Sequence, residues 1–186
     1  MKTHIISGIK LTALCLVFFS VIYTMFILGI AQITPNSGKG EILEVNGKKQ
    51  YANIGQSFTD LKYFNSRPSA VNYNAAGSGG SNKGPSNPQY LAEVQKRIDT
   101  FLIQNPEIKK SEIPAELVTA SGSGLDPNIS VQAAKVQIKR IAKIRNIEQE
   151  KLVQLISKNT ENPLLGIFGP EKINVLKLNI ALDKLK

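Results

Sequence analysis

The sequence predicts an α+β chain: one N-terminal transmembrane helix followed by a single small exported domain with a β-hairpin and about three to four helices. Three observations carry that prediction. Residues 11–31, "LTALCLVFFSVIYTMFILGIA", contain no charged residue. Asn46-Gly47 stands between two short apolar runs. Farther on, apolar residues recur at three- and four-residue intervals in segments bounded by Asn-Pro pairs. The length agrees, since 186 residues suffice for one modest domain and an accessory segment.

At 1.5 Å per residue, a helix over residues 11–31 is about 30 Å long, the thickness of a bilayer's hydrocarbon core. A lysine or aspartate at its centre would cost roughly 3 kcal/mol, and the run contains neither. Two processing readings compete. Gly29-Ile30-Ala31 resembles a small-x-small cleavage site, although the apolar core is longer than that of a typical signal peptide. Cys15 is a poorer lipoprotein site, because it lies inside the apolar run, after Leu14. An uncleaved single span is the favoured reading. Lys39, Lys48 and Lys49 follow the helix, so nearby charge alone does not choose a side. Large domains translocate largely regardless of charge, which leaves the short basic flank with Lys2 and Lys10 to set orientation. The expected layout is therefore residues 1–10 in the cytoplasm, 11–31 across the membrane and 32–186 outside.

The exported part opens with "NSGKG" and "EILEVNGKKQYANIGQSF". Asn-Gly between apolar runs is a hairpin signal, because both turn positions need φ > 0. Two antiparallel strands are expected, over about 41–45 and 48–54. From Thr59 to Pro88 the chain has few periodic apolar positions and many turn formers. A structureless segment of that length is usually functional or disordered. Tyr63, Phe64, Arg67 and Tyr73 argue against simple disorder.

Asn87-Pro88 supplies an N-cap followed by proline at the first helical position. Leu91, Val94, Ile98, Phe101 and Leu102 then share one face until Asn105-Pro106. The next helix begins near Asp126-Pro127 or Ser130. Ala134, Ile138, Ile141 and Ile144 form its apolar face, with Lys135, Lys139 and Lys143 stacked on another. Asn146, three residues before Gln149, resembles a capping box opening a helix that buries Leu152, Leu155 and Ile156. The tail "KINVLKLNIALDKL" fits a strand at Ile173 and Val175 and a helix at Val175, Leu178, Leu182 and Leu185. A short strand running into a terminal helix satisfies both.

Several functions are excluded by inventory. One cysteine, Cys15, and one histidine, His4, permit neither an internal disulfide nor a His/Cys metal site. No HExxH, G-x-S-x-G or GxGxxG occurs, and the only Asp-Lys pair, Asp183-Lys184, is followed by Leu185 rather than a Thr-Gly phosphorylation signature. Glu116 and Asp126 are the carboxylates in conspicuous settings. A turn or helix-start role suits the first and an N-cap the second. No catalytic and no metal-binding residue is assigned. Lys2 and Lys10 precede the span, so residues 32–186 hold 21 of the 23 Lys+Arg and all 14 Asp+Glu, a net charge of +7. A lysine-rich solvated surface explains that balance most simply, and an exported location excludes nucleic acid as the expected partner.

The stretch 75–90, "AAGSGGSNKGPSNPQY", nearly makes a phosphate loop, with Gly79 and Gly84 at the required spacing. Pro85 stands where the pattern needs lysine, and proline has no N–H to offer a phosphate. A close-contact surface is the better reading, since glycine lets a backbone approach where a side chain would collide.

Five stretches in order carry a resemblance. They are "IGQSF...YFNSRPSA" (54–70), "SGGSNKGPSNP" (78–88), "PAELVTASGSGLDPNIS" (114–130), "QIKRIAKIR" (137–145) and "NVLKLNIALDKL" (174–185). Together with the N-terminal apolar helix, they resemble the C subunit of the Kdp potassium-transporting P-type ATPase over nearly the whole chain. The resemblance implies an accessory subunit in the bacterial cytoplasmic (inner) membrane, with its C-terminal domain outside. Its implied partners are a potassium-selecting channel-like subunit, an ATP-hydrolysing P-type subunit and a small single-helix subunit. The family has been described as a catalytic chaperone that raises the pump subunit's affinity for ATP, the one nucleotide implied. On that description Gln137 is the matching glutamine, with Gln132 close by and not separable from it. Ser78, Gly79, Gly80, Ser81 and Asn82 become candidates for a subunit-docking loop. The alternative is a structural or gating cap over the outer mouth of the potassium-selecting subunit, since a domain outside the cytoplasm cannot reach the pump's ATP. Without the resemblance, a membrane-anchored exported binding module remains.

Overall fold

A computed structural model describes residues 2–45 and 47–185. The chain divides into two units, residues 1–43 and 44–186.

The first unit is dominated by helix. Helix α1 (Lys2–Val17) continues through a π-helical stretch, Phe18–Tyr23, into α2 (Thr24–Ile33). Residues His4–Ile33 form one helix long and apolar enough to cross a membrane. Its apolar side chains have no protein neighbours to bury them, which suits a lipid solvent. From the first residue of α2, the Thr24 hydroxyl donates back into the π-helical stretch, to the Phe19 carbonyl at 3.2 Å. A single 3₁₀ turn, Pro35–Gly38, follows the helix.

The α+β expectation holds. Strands β1 (Ile42–Val45) and β2 (Lys48–Tyr51) form the two-stranded hairpin. Gly47 has φ +73, as a hairpin turn of this kind requires, while Asn46 lies outside the described residues. Helix α3 (Pro88–Gln104) starts where the sequence indicates: the Asn87 side chain accepts from the Tyr90 N–H at 3.0 Å. Of its apolar face only Phe101 is fully buried, and Leu91 is 51 % exposed. The helix is therefore seated mainly by its C-terminal end.

Ser130 is the cap of the next helical region; its hydroxyl accepts from the Ala133 N–H at 3.1 Å. Glu116 braces that start, its carboxylate accepting from the Ser130 N–H at 2.9 Å. Asp126 is not an N-cap. It accepts from Asn128 N–H at 3.0 Å and pairs with Arg67 at 2.8 Å. The expected continuous helix is instead two, α4 (Val131–Lys135) and α5 (Ile138–Arg145), interrupted at Val136 and Gln137. Ile138 and Ile141 of α5 are buried, but Ile144, in its last turn, is exposed.

The capping box at Asn146 is also corrected. Asn146 closes α5 in the left-handed conformation, φ +52, and α6 (Gln149–Asn159) begins after Glu148 without a side-chain cap. Asparagine serves a helix C-terminus as readily as an N-terminus, because its short polar side chain tolerates that backbone. Leu152, Leu155 and Ile156 are buried as expected. The tail is a strand followed by a helix: β5 (Lys172–Asn174) leads directly into α7 (Val175–Asp183).

Strand β5 is the centre of a second small sheet that the sequence did not announce. It pairs antiparallel with β3 (Asn128–Ile129) on one side and β4 (Thr160–Glu161) on the other, in the order β3-β5-β4. Helix α6 packs against α4, α5 and α7, and β5 touches α4, α6 and α7. The core between them is built from Ile129, Ala133, Ala134, Ile141, Leu152, Ile156, Ile173, Leu178 and Leu182. Phe64, from the long segment without helix or strand, completes it with no exposure at all.

Candidate functional site

Two clusters hold the residues singled out from the sequence. In the first, the glycine- and serine-rich stretch 78–82 lies against a second such stretch, 121–124. Gly79 N–H donates to the Ser123 carbonyl at 2.8 Å, and the Ser78 hydroxyl donates to the same carbonyl at 3.0 Å. Gly124 has φ +67, and a Cβ there would stand 2.6 Å from Val71 Cγ2 and 2.9 Å from the Gly79 carbonyl oxygen. A side chain would thus push apart two backbones that glycine lets meet. Ser78 and Asn82 are exposed, Gly79, Gly80 and Ser81 half-buried, and Asn82 has φ +53.

The floor beneath is polar and tied down. Ser121 N–H donates to the Pro68 carbonyl at 3.2 Å, and the Tyr73 hydroxyl to the Arg67 carbonyl at 2.7 Å. Burial raises the Tyr73 hydroxyl's pKa above the usual tyrosine value, keeping it a neutral donor. A phosphate cradle needs a row of free N–H groups and an available lysine. Here the Gly79 N–H is already engaged, and the Lys83 ammonium sits 2.7 Å from Glu93.

Gln137 belongs to the second cluster. It is completely buried, and both ends of its amide are used. Its oxygen accepts from the Asn65 N–H at 2.8 Å and from Arg140 Nη2 at 2.8 Å, while Nε2 donates to the Ala133 carbonyl at 2.9 Å. That last bond sits at the break between α4 and α5, where Gln137 satisfies a carbonyl the interrupted helix leaves open. Gln132, by contrast, is exposed on α4.

Arg140, which the sequence reading passed over, is the hub. It is 6 % exposed, and its guanidinium reaches five acceptors: the carbonyls of Leu61 and Tyr63 and the side-chain oxygens of Asn65, Asn105 and Gln137. Desolvation pushes its pKa down to about 10, partly opposed by the charge of Asp60, so it stays cationic at neutral pH. The signal was its register. Lys135, Lys139 and Lys143 repeat every four residues, whereas Arg140 is three residues from Gln137 and adjacent to buried Ile141, off the basic stripe. A hollow of about 260 Å³ opens beside it, lined in part by Ile108, Val136, Lys139, Lys143 and Ile144.

Asn179 completes the fastening of this segment. Its amide brackets one residue, accepting from the Phe64 N–H at 2.9 Å and donating to the Phe64 carbonyl at 3.0 Å. Among the described residues no group of three or more His, Cys, Asp or Glu is placed to hold a metal ion.

The class defined by these features is a small α+β domain, polar-latched inside, on a chain with one helix fit to cross a membrane. The chain belongs to the KdpC family, described as the K⁺-transporting ATPase c chain, whose model matches residues 5–184. It is 58 % identical over 184 residues to a potassium-transporting ATPase KdpC subunit of Flavobacterium psychrophilum, covering 98 % of this chain and 99 % of that one. A subunit of the same description from Bacteroides fragilis is 53 % identical over 190 residues, covering 100 % and 99 %. One from Bacillus cereus is 45 % identical over 188 residues, covering 99 % and 97 %. The chain is thus a membrane-associated subunit of a potassium-transporting ATPase.

Proposed function

We propose that this subunit is a non-catalytic accessory that acts by docking. Residues 11–31 cross the cytoplasmic (inner) membrane once, residues 1–10 stay inside, and residues 32–186 stand outside on the potassium-selecting, channel-like subunit. There the domain stabilises the assembly with the ATP-hydrolysing and small single-helix subunits. One observation carries the reading: Gln137 and Arg140, the most chemically capable buried side chains, spend their hydrogen-bonding capacity inside the chain, on residues 63–65, on Ala133 and on each other. A nucleotide contact by Gln137 would forfeit three internal bonds in a site with no water access, at a cost of about 1–3 kcal/mol for each buried group left unpaired. Within this reading, 78–82 is a shaped surface whose exposed edge, Ser78 and Asn82, faces a partner.

Orientation is tested with Ser86→Cys in a Cys15→Ser chain, using a membrane-impermeant maleimide. Labelling in spheroplasts without permeabilisation is expected; labelling only after the inner membrane is opened would overturn the outside placement. The nucleotide role has its own arm. Gln137→Ala should lower complex yield and leave the KM for ATP of the recovered complex unchanged. A raised KM with normal yield would instead favour the catalytic-chaperone mechanism.

A further inference from the structure

Arg140 carries a charge that the chain itself does not neutralise. Its guanidinium is buried and its partners are all neutral: two backbone carbonyls and the amide oxygens of Asn65, Asn105 and Gln137. Buried cations are ordinarily paired with an acid as well as hydrogen-bonded. The carboxylate whose charge reaches Arg140, Asp60, is exposed and held by Lys62 at 3.1 Å. Hydrogen bonds satisfy the donors of Arg140 and leave its net charge uncompensated.

The hollow of about 260 Å³ opens on that charge, between the end of α3 with the turn after it and one side of α5. Ile108, Val136 and Ile144 give it apolar walls. Lys139 and Lys143, one helical turn apart, line it beside Arg140. Lys139 is paired with Glu107 at 2.9 Å. Lys143 acts on the same acid from farther off and makes no close ion pair among the described residues. The lining therefore sets three cations against one acid.

Charge and shape together select the occupant. The excess of cations favours an anion, and beside a buried guanidinium the lower dielectric makes that attraction stronger than in water. An inorganic ion would leave the three apolar walls facing water, so the fitting anion has an apolar body. The five N–H donors of Arg140 are already spent, so it acts through its charge, while Lys143 is left to hydrogen-bond the ligand. The volume is smaller than the roughly 300–1,000 Å³ of pockets for drug-sized ligands, which admits a fragment-sized molecule and excludes a two-chain lipid.

We propose that the hollow between residues 104–108 and α5 is a binding site for a small organic carboxylate with an apolar body. Its carboxylate meets Lys143 beside the Arg140 charge, and its hydrocarbon lies along Ile108, Val136 and Ile144. The site goes beyond the docking reading above and does not rest on it. A counter-charge at this point offsets the cost of burying Arg140, so occupancy strengthens the grip of that residue on residues 61–65.

The test titrates 4-phenylbutanoate into the isotope-labelled full chain in detergent micelles and reads backbone amide shifts. Saturable shifts centred on residues 104–108 and 139–144 are expected, with a dissociation constant on the order of 0.1–1 mM for a ligand of this size. The neutral 4-phenylbutanamide has the same shape and enters micelles at least as well, yet should bind at least about tenfold more weakly. No saturable shift, equal binding of the amide, or the same shifts from acetate at equal concentration overturns the site. Arg140 is left unaltered, since loss of that hub would unfold the domain, and the exposed rim carries the variants. Lys143→Gln should weaken binding by about fivefold, and Glu107→Gln, which frees Lys139, should tighten it by about threefold. Unchanged affinity in the first, or weaker binding in the second, overturns the site. In the assembled complex in native membranes, a diazirine analogue should label this chain at the same residues, in competition with 4-phenylbutanoate. Absence of that label would show the hollow covered by another subunit and overturn the site as well.

Discussion

Residues 52–87 and residues 162–171 both lack helix and ladder strand, yet they are held in opposite ways. The first is fixed by side chains far away in sequence. Asn174 Nδ2 donates to the Ala52 carbonyl at 2.6 Å, and Asn179, Gln137 and Arg140 clasp residues 61–65. Phe64 is thereby driven into the core. The second is fixed by its own backbone within a few residues, and its apolar side chains face outward. A loop tied by remote polar groups is cooperative with the core; a self-tied loop keeps its shape without it. Order alone therefore does not distinguish the two. The location of the bonding partners does.

The sharpest way to break the comparison is Arg140→Ala. It strands five acceptors and leaves a void, so it should destabilise the domain by at least about 3 kcal/mol. Urea unfolding of the full chain in detergent micelles reads this directly, and a loss under 1 kcal/mol would show that the hub is dispensable. Gln137→Ala comes next, at about 2–3 kcal/mol. Gln137→Glu should fall between it and the parent, because a carboxylate still accepts from Asn65 and pairs with the Arg140 guanidinium, which outweighs losing the donation to Ala133 and setting an oxygen against that carbonyl. If Glu were worse than Ala, the repulsion between its oxygen and the Ala133 carbonyl would outweigh the two bonds it keeps.

Asn179→Ala should cost about 2 kcal/mol by releasing both backbone groups of Phe64, with faster hydrogen exchange confined first to residues 61–66. Gly124→Ala strains a left-handed position and collides with Val71 and Gly79; roughly 1–2 kcal/mol is expected. At the other extreme, Leu165→Gly should change stability by less than about 1 kcal/mol, in the favourable direction, because glycine relieves the left-handed backbone at φ +55. A large loss there would mean that the exposed loop supports the core after all, and the contrast between the two regions would disappear.

Local signals were legible because they need only neighbours. The apolar run before Pro35, the Asn87-Pro88 start of α3, the Ser130 region and the strand-to-helix switch at Asn174 all follow from spacing and capping within a few residues. The same local logic misassigned Asn146, since a lone asparagine fits either end of a helix and only the backbone around it decides. Among the site candidates, the family resemblance brought up Gln137 with Gln132 beside it, and neither the resemblance nor the spacing announced the buried bonds Gln137 makes. The glycines of 78–82 point to close approach of a backbone, yet the approach the structure holds is internal, to 121–124, and nothing in either stretch declares which backbone it meets.

By itself, then, the amino-acid order determined one long apolar helix, an α+β domain behind it, and a family resemblance spread over five motifs. The tertiary structure alone decided that Arg140 leaves the basic stripe for the interior, that Asn179 reaches Phe64 115 residues away, and that the glycine-rich stretches face each other. The physical reason is range. Helix periods and caps are satisfied within a turn, whereas a buried backbone amide can be paired by any donor or acceptor the fold brings to it, and that choice is settled only when the whole core closes.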